Sequence, residues 1–292
     1  MGALWMLLAA LLFSGMGVAV KFASTAFSSA ELVFFRGIIG VLFMAVVCRS
    51  QAIPLRTPHL AMHAWRSLVG VVSLGGWFYS IAYLPLATAT TLNYMSSVWV
   101  GAFIAASALL QGQVQRQGPL LATVLGGFVG VVLMLQPTLD KDQLFAGLMG
   151  LGAGLTAALA YIQVTALGRL GEPASRTVFY FALGSAVFGA LGTLATGLSA
   201  WSWSASVWLL PIGVLAALGQ WCMTRAFNEG ATLVVVNLQY AGVIFAVIFG
   251  AWLFDDHIAW QAWLGMGLII ACGVAATVLR ARAVPDAPAE EH

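Results

Sequence analysis

Residues 77–93 read WFYSIAYLPLATATTLN, and residues 221–237 read WCMTRAFNEGATLVVVN. A shift of 144 positions lays Trp77 on Trp221, Ala82 on Ala226, Tyr83 on Phe227, Ala87 on Ala231, Thr88 on Thr232 and Asn93 on Asn237. Chance identity is common among apolar helices, but matched Trp, Thr and Asn are not apolar filler. The stretch therefore points to an internal duplication, and a repeat governs how the rest of the chain is read.

Working outward, the chain of 292 residues is 61% hydrophobic and 8% charged, with a mean hydropathy of +0.96. A soluble domain carries about a quarter charged residues. A spanning helix needs roughly 20 apolar residues, so ten of them leave room only for short connectors and for no separate soluble domain. Apolar runs bounded by turn and charge signals predict helices over 3–22, 30–48, 65–84, 88–110, 118–136, 145–168, 175–196, 206–227, 231–253 and 260–280. The first begins with no basic segment before it and no small-x-small cleavage site after it, and reads as a retained helix. Pro85, Pro119, Pro137 and Pro173 supply physical breaks.

The expected fold is all-α and integral to the membrane, with ten transmembrane helices as two inverted five-helix repeats. Five is odd, so the second copy enters the bilayer from the opposite side. The repeats are placed at 1–139 and 140–282, followed by a short cytoplasmic tail at 283–292. Inverted repeats are the architecture of alternating access around a midplane site. With a cytoplasmic N-terminus, nine of the twelve Lys and Arg residues (Arg49, Arg56, Arg66, Arg116, Arg169, Arg176, Arg225, Arg280 and Arg282) fall on the cytoplasmic side. Asp140, Asp142, Asp255 and Asp256 fall on the other, where Trp201, Trp203 and Trp208 sit as interfacial anchors. The expected location is the inner (plasma) membrane, with both termini cytoplasmic.

Ionisable groups within a bilayer cost roughly 2.5 to 3.5 kcal/mol each on insertion scales and need partners or water. Lys21, Glu31, Arg36 and Arg225 are the charge and gating candidates, with Glu31 placed to pair with Arg36 or Lys21. The plain alternatives are carbonyl caps for Arg36 and snorkelling for Arg225. No Asp or Glu falls in the middle of a predicted helix, which disfavours a proton relay. Neutral polar and aromatic residues are the better binding candidates: Trp77 and Tyr79, Asn93 and Tyr94, Gln163, Gln220 and Trp221, and Asn237, Gln239 and Tyr240. An amide facing lipid is expensive, so each must bond another helix or a cavity; interhelical bonding is the competing explanation. Gly126 with Gly130 and Gly150 with Gly154 have the spacing of close helix crossings. His59 and His63 lack a third metal ligand nearby, and Cys48, Cys222 and Cys272 have no disulfide or metal spacing.

Three stretches, Ala30-Glu31-Leu32-Val33-Phe34-Phe35-Arg36-Gly37, Tyr83-Leu84-Pro85-Leu86-Ala87-Thr88-Ala89-Thr90, and Arg225-Ala226-Phe227 with Gly230-Ala231-Thr232, resemble the drug/metabolite transporter superfamily, EamA type. The resemblance covers nearly the whole chain. It implies a secondary transporter of a small organic metabolite, with riboflavin, S-adenosylmethionine and amino or organic acids as the substrate range. Similar proteins often end the fourth and ninth helices in an acidic turn; here the runs are Gln111-Gly112-Gln113 and Asp255-Asp256-His257, and the first departs from the pattern. No cofactor or metal is expected, and the partners are a small-molecule solute and the lipid bilayer. No nucleic acid is expected, and a homodimer is left open. A membrane enzyme would need a catalytic constellation such as His-Glu-x-x-His or paired intramembrane aspartates, which the sequence lacks; a scaffold or sensor would bring a soluble output domain. Replacing Asn93 and Asn237 by Ala is expected to raise KM for the transported solute several-fold in each case, and unchanged affinity in both variants rules out a site at those amides.

Overall fold

A computed structural model describes residues 2–96, 98–100, 102–103, 106, 118–135, 141–229 and 238–283. Among the described residues the regular structure is helical: α1 (Gly2–Ala23), α2 (Ser29–Ser50), α3 (Leu60–Tyr83), α4 (Leu86–Tyr94), α5 (Gly118–Leu135), α6 (Lys141–Arg169), α7 (Ala174–Thr196), α8 (Leu209–Glu229), α9 (Ala241–Phe254) and α10 (Trp260–Ala283), with one helical turn at Trp203–Ser206 before α8. Five of the described helical segments are by themselves long and apolar enough to cross a bilayer: Gly2–Ala23, Ser29–Ser50, Asp142–Arg169, Ala174–Thr196 and Trp203–Glu229. The bundle is apolar on its outside: Leu4, Leu42, Val46, Leu125, Leu148, Leu194 and Ile244 are exposed. In water such a surface would be an aggregation hazard; in lipid it is the solvated face.

The main helix pairings are unchanged when five is added to each helix number. The pair α1·α8 has α3·α6 as its twin, α2·α8 has α3·α7, and α1·α9 has α4·α6, while α2·α7, α4·α9 and α5·α10 are their own twins. Two inverted five-helix halves therefore meet along a pseudo-two-fold axis through these three self-paired contacts.

Several boundaries differ from expectation. Helix α3 begins at Leu60 and not at 65, and α6 takes Lys141 and Asp142 into its first turn, so they are not loop residues. The predicted fourth helix, 88–110, begins at Leu86, directly after Pro85, and is interrupted by a turn at Met95, although 96 and 98–100 are helical. In the second half, Gln239 and Tyr240 form a turn before α9 begins at Ala241. Position 95 plus the repeat shift of 144 is 239, so the two halves break at equivalent places. Irregular backbone at membrane depth is tolerated only where protein or a cavity surrounds it, and Met95 and Tyr240 are both buried. Asn237, Gly230-Ala231-Thr232, Gln111-Gly112-Gln113, Arg116, Pro137, Asp140 and the tail beyond 283 lie outside the described residues.

Both ends of the bundle are tied. On the face where α1 starts, the N-face, Glu172 in the α6–α7 turn accepts hydrogen bonds from Thr57 Oγ1 and, at 3.1 Å, from Arg176 Nη1, with His63 Nε2 3.5 Å away. Burial acts to raise the Glu172 carboxyl, but the Thr57 hydrogen bond and the charges of Arg176 and His63 hold it below its ordinary value. His63 thus sits buried in α3, stacked on Tyr180 at 4.7 Å, and not in a connector. On the far face, Ser28 and Glu31 form a capping box that starts α2.

Helices α2 and α7 cross at close range. A Cβ added to Gly37 would land on the Ala186 backbone, and one on Gly189 would stand 2.5 Å from Phe34 N. Gly75, by contrast, has open space where its Cβ would go. Gly37→Ala is expected to destabilise the protein by about 1–3 kcal/mol through overpacking, while Gly75→Ala is neutral or slightly stabilising. Thermal unfolding of the two variants in detergent checks this, and equal midpoints would contradict it.

Candidate functional site

At mid-depth residues of both halves line a half-open pocket. Its lining comes from α1 (Phe13, Met16), α2 (Arg36), α3 (Arg66, Gly70, Ser73, Leu74, Trp77), α4 (Asn93, Tyr94), α6 (Ala157, Ala160, Tyr161), α7 (Phe181) and α8 (Gln220, Met223). Mostly apolar walls with a few placed polar groups are the character of organic-ligand sites. The first-half helix break at Met95 directly follows two wall residues, Asn93 and Tyr94.

Two arginines dominate the site. Arg36 is seven residues into α2, about 10 Å of helix rise, and Arg66 is six residues into α3, about 9 Å; each is 3% exposed. Both guanidiniums lie on one ring, with Arg66 Cζ 3.7 Å and Arg36 Cζ 4.8 Å from the Phe181 centroid. Arg36 Nη1 donates to Ser185 Oγ at 3.2 Å, and Arg66 Nη2 donates to Gln220 Oε1 at 3.3 Å. Gly70 makes room for the second arginine, since a Cβ there would stand 2.5 Å from Arg66 Nη1. Among the described residues, Arg36 Nε, Arg66 Nε and Nη1, Trp77 Nε1 and Asn93 Oδ1 are buried without a hydrogen-bond partner. A buried polar group left unpaired costs about 1–3 kcal/mol, and more when charged.

The residues singled out from the sequence divide into those the cavity gathers and those it does not. Trp77, Asn93, Tyr94, Gln220 and Arg36 line it. Tyr240 stands behind Tyr94, ring to ring at 6.1 Å and 90°, and its Oη donates to Tyr94 O at 3.5 Å. Gln239 is buried in the turn before α9 and does not line the cavity. Tyr79 points elsewhere, against Tyr83 and Phe145. Gln163 is half-buried away from the lining. Trp221 is also outside the cavity: its Nε1 donates to Ser175 Oγ at 3.2 Å and its ring meets Trp5 edge to face at 5.6 Å. Asn237 lies outside the described residues.

The charged candidates are redistributed more sharply. Glu31 pairs with neither Arg36 nor Lys21: it accepts from Ser28 N at 2.7 Å, Ser199 N at 2.9 Å and Ser199 Oγ at 2.6 Å, because it is spent capping α2 and holding the α7–α8 connector. Arg225 pairs with Glu229 at 2.7 Å on the partly exposed N-face, over the Trp5 and Trp221 rings. Lys21, at the end of α1, bonds both oxygens of Asp256, at 2.7 and 2.9 Å, and Asp256 Oδ2 also accepts the Leu86 N–H at 3.0 Å. One carboxylate thus joins α1, α4 and the end of α9 above the cavity. The residues missed were Arg66, assigned to a loop-side position, and Phe181 and Ser185, which the α7 pattern did not distinguish from packing. The one signal for Arg66 was its place after Trp65 at the start of an apolar run.

Residues 1–136 match the family model described as the EamA-like transporter family. The pseudopaline exporter CntI of Pseudomonas aeruginosa is 31% identical over 280 residues, covering 92% of this chain and 93% of that protein. A riboflavin transporter of Brucella anthropi is 27% identical over 266 residues, with 88% and 92% covered. An S-adenosylmethionine uptake transporter of Rickettsia prowazekii is 23% identical over 263 residues, with 87% and 85% covered. A solved crystal structure superposes with a TM-score of 0.67 at 20% identity, covering 96% of this chain and 98% of that one. The far-face junction yields a graded test: Asp256→Asn keeps an acceptor for Leu86 N–H and loses the charge, whereas Asp256→Ala loses both. Thermal stability should fall in the order wild type, Asp256→Asn, Asp256→Ala, the last by about 1–3 kcal/mol, and an alanine variant as stable as wild type would show that the junction is idle.

Proposed function

The chain belongs to the EamA-like transporter family, and on that premise we propose that it is a secondary carrier moving a small organic metabolite across the inner membrane by alternating access. The observation that carries this reading is the pocket walled by both halves, whose lining residues include buried polar atoms without a partner among the described residues. A lipid-embedded chain has no use for unsatisfied donors at mid-depth unless a ligand or water meets them. The matched breaks at Met95 and at Gln239–Tyr240 support the same reading, since discontinuous helices at a repeat interface are where carriers hold solute.

In this reading the repeats are residues 1–139 and 140–282, the N-face is cytoplasmic, and the Lys21–Asp256–Leu86 junction closes the opposite side. Solute enters from one face, is held against Trp77, Tyr94, Tyr161 and Phe181, and leaves when the halves exchange shapes. The relatives are named for an exporter, transporters and an uptake transporter, so resemblance leaves direction open, and the solute range extends over flavins, S-adenosylmethionine and amino or organic acids.

Reconstituted full-length protein should show saturable flux of at least one labelled member of such a panel, with pH and sodium gradients varied independently. Trp77→Ala should lower kcat/KM by roughly tenfold or more, as loss of a buried aromatic contact does. Absence of movement in either direction for every member would sink the carrier reading.

A further inference from the structure

We infer that the transported solute is an anion, bearing two acidic groups or one carboxylate shared by both arginines, with a flat or apolar body; this rests on the carrier reading and narrows its cargo. Arg36 and Arg66 bring two positive charges to one cavity, within 4.8 and 3.7 Å of the same Phe181 ring centroid. Their protein partners are a hydroxyl and an amide oxygen, neither of which carries charge.

The described acids are accounted for without reaching the site. Of the ten Asp and Glu residues, six are described. Glu31 is held by Ser28 and Ser199, Glu172 by Thr57 and Arg176, Glu229 by Arg225, and Asp256 by Lys21 and Leu86 N–H. Asp142 and Asp255 are exposed. The remaining four, Asp140, Asp286, Glu290 and Glu291, belong to the α5–α6 connector and the tail. No described carboxylate neutralises the pair, so the counter-charge is left to the cargo.

Free donors point the same way. Arg36 Nε and Arg66 Nε and Nη1 are buried without a partner among the described residues, and guanidinium matches carboxylate geometry better than any other side chain. Trp77, Tyr94, Tyr161 and Phe181 offer faces for a planar or apolar body. The same two charges repel a cationic solute such as S-adenosylmethionine, and they give a neutral flavin no use for the second arginine.

The test uses purified full-length protein and three probes: isophthalate, benzoate and the neutral dimethyl isophthalate. Thermal stabilisation and competition against the labelled transported solute should rank isophthalate first, benzoate second and the diester last. Arg36→Gln and Arg66→Gln should each weaken isophthalate by about tenfold to a hundredfold, the value of a charge-assisted hydrogen bond, and leave the diester unchanged; Arg66→Lys should restore part of the preference. The variants' unfolding midpoints without probe establish that they are folded. Equal effects of isophthalate and its diester, or a dicarboxylate preference that survives both Gln substitutions, overturn the inference. Flux confined to neutral or cationic solutes also overturns it and leaves the carrier reading standing. Isophthalate binding that depends on both arginines, with no flux of any solute, does the reverse.

Discussion

The crossing of α2 and α7 sets the geometry on which the cavity depends. Gly37 and Gly189 let the two backbones touch, and no Cβ fits at either position without pushing the helices apart. Arg36 is the residue before Gly37, and Ser185 is the residue before Ala186, the residue Gly37 meets. The close approach therefore delivers the guanidinium to its hydroxyl partner at 3.2 Å and sets Phe181, one turn earlier on α7, beneath it. Helices held about 8–10 Å apart by larger side chains would separate these groups. Packing of this kind has no hydrophobic drive in lipid, where tails are as apolar as leucine; van der Waals contact and interhelical hydrogen bonds carry it. Glycine at a contact on the pseudo-two-fold axis is thus what couples the two halves.

The charges are sorted by depth in a way that follows from the same solvent. Acidic side chains are consumed at the ends of the bundle, as a helix cap at Glu31, a turn clasp at Glu172, a surface pair at Glu229 and a three-helix junction at Asp256. Among the described residues, basic side chains alone remain at mid-depth. Cation–π contact with Phe181 contributes to holding them there, but an aromatic face does not neutralise a charge. The described part of the cavity carries two arginines and no carboxylate because the described acids are engaged elsewhere.

Much of this was legible before any coordinates. Apolar length and the 144-residue match between the halves announce ten helices in two inverted repeats, because hydrophobicity over twenty residues is set by the bilayer and a repeated Trp and Asn survive in a background of interchangeable apolar residues. Arg36 stood out because it interrupts such a run. Arg66 did not: it lies soon after a connector containing Pro54 and Pro58, and α3 takes in five residues beyond its apparent start, which moves this arginine about one and a half turns inward. Tyr79 and Trp221 were indistinguishable from Trp77 by composition, since a helix rotated by one or two residues turns a wall residue away from the cavity. The break at Met95 left no trace either, because the run from 88 to 110 carries no proline or glycine until Gly101. Such a break is specified by what surrounds the backbone.

The Lys21–Asp256 ion pair has no twin. The shift that superposes the halves puts Thr165 in the place of Lys21 and Gly112 in the place of Asp256, and Thr165 bonds its own helix, donating to Tyr161 O at 3.0 Å. In a carrier made of two identical halves, the inward-facing and outward-facing states would be degenerate, each the mirror of the other with the halves relabelled. An ion pair on the far face with no counterpart at the equivalent positions would lift that degeneracy. With the Glu172 clasp on the N-face, and with Tyr180 and Leu210 where the first half has Arg36 and Arg66, it makes the two faces of a duplicated fold inequivalent.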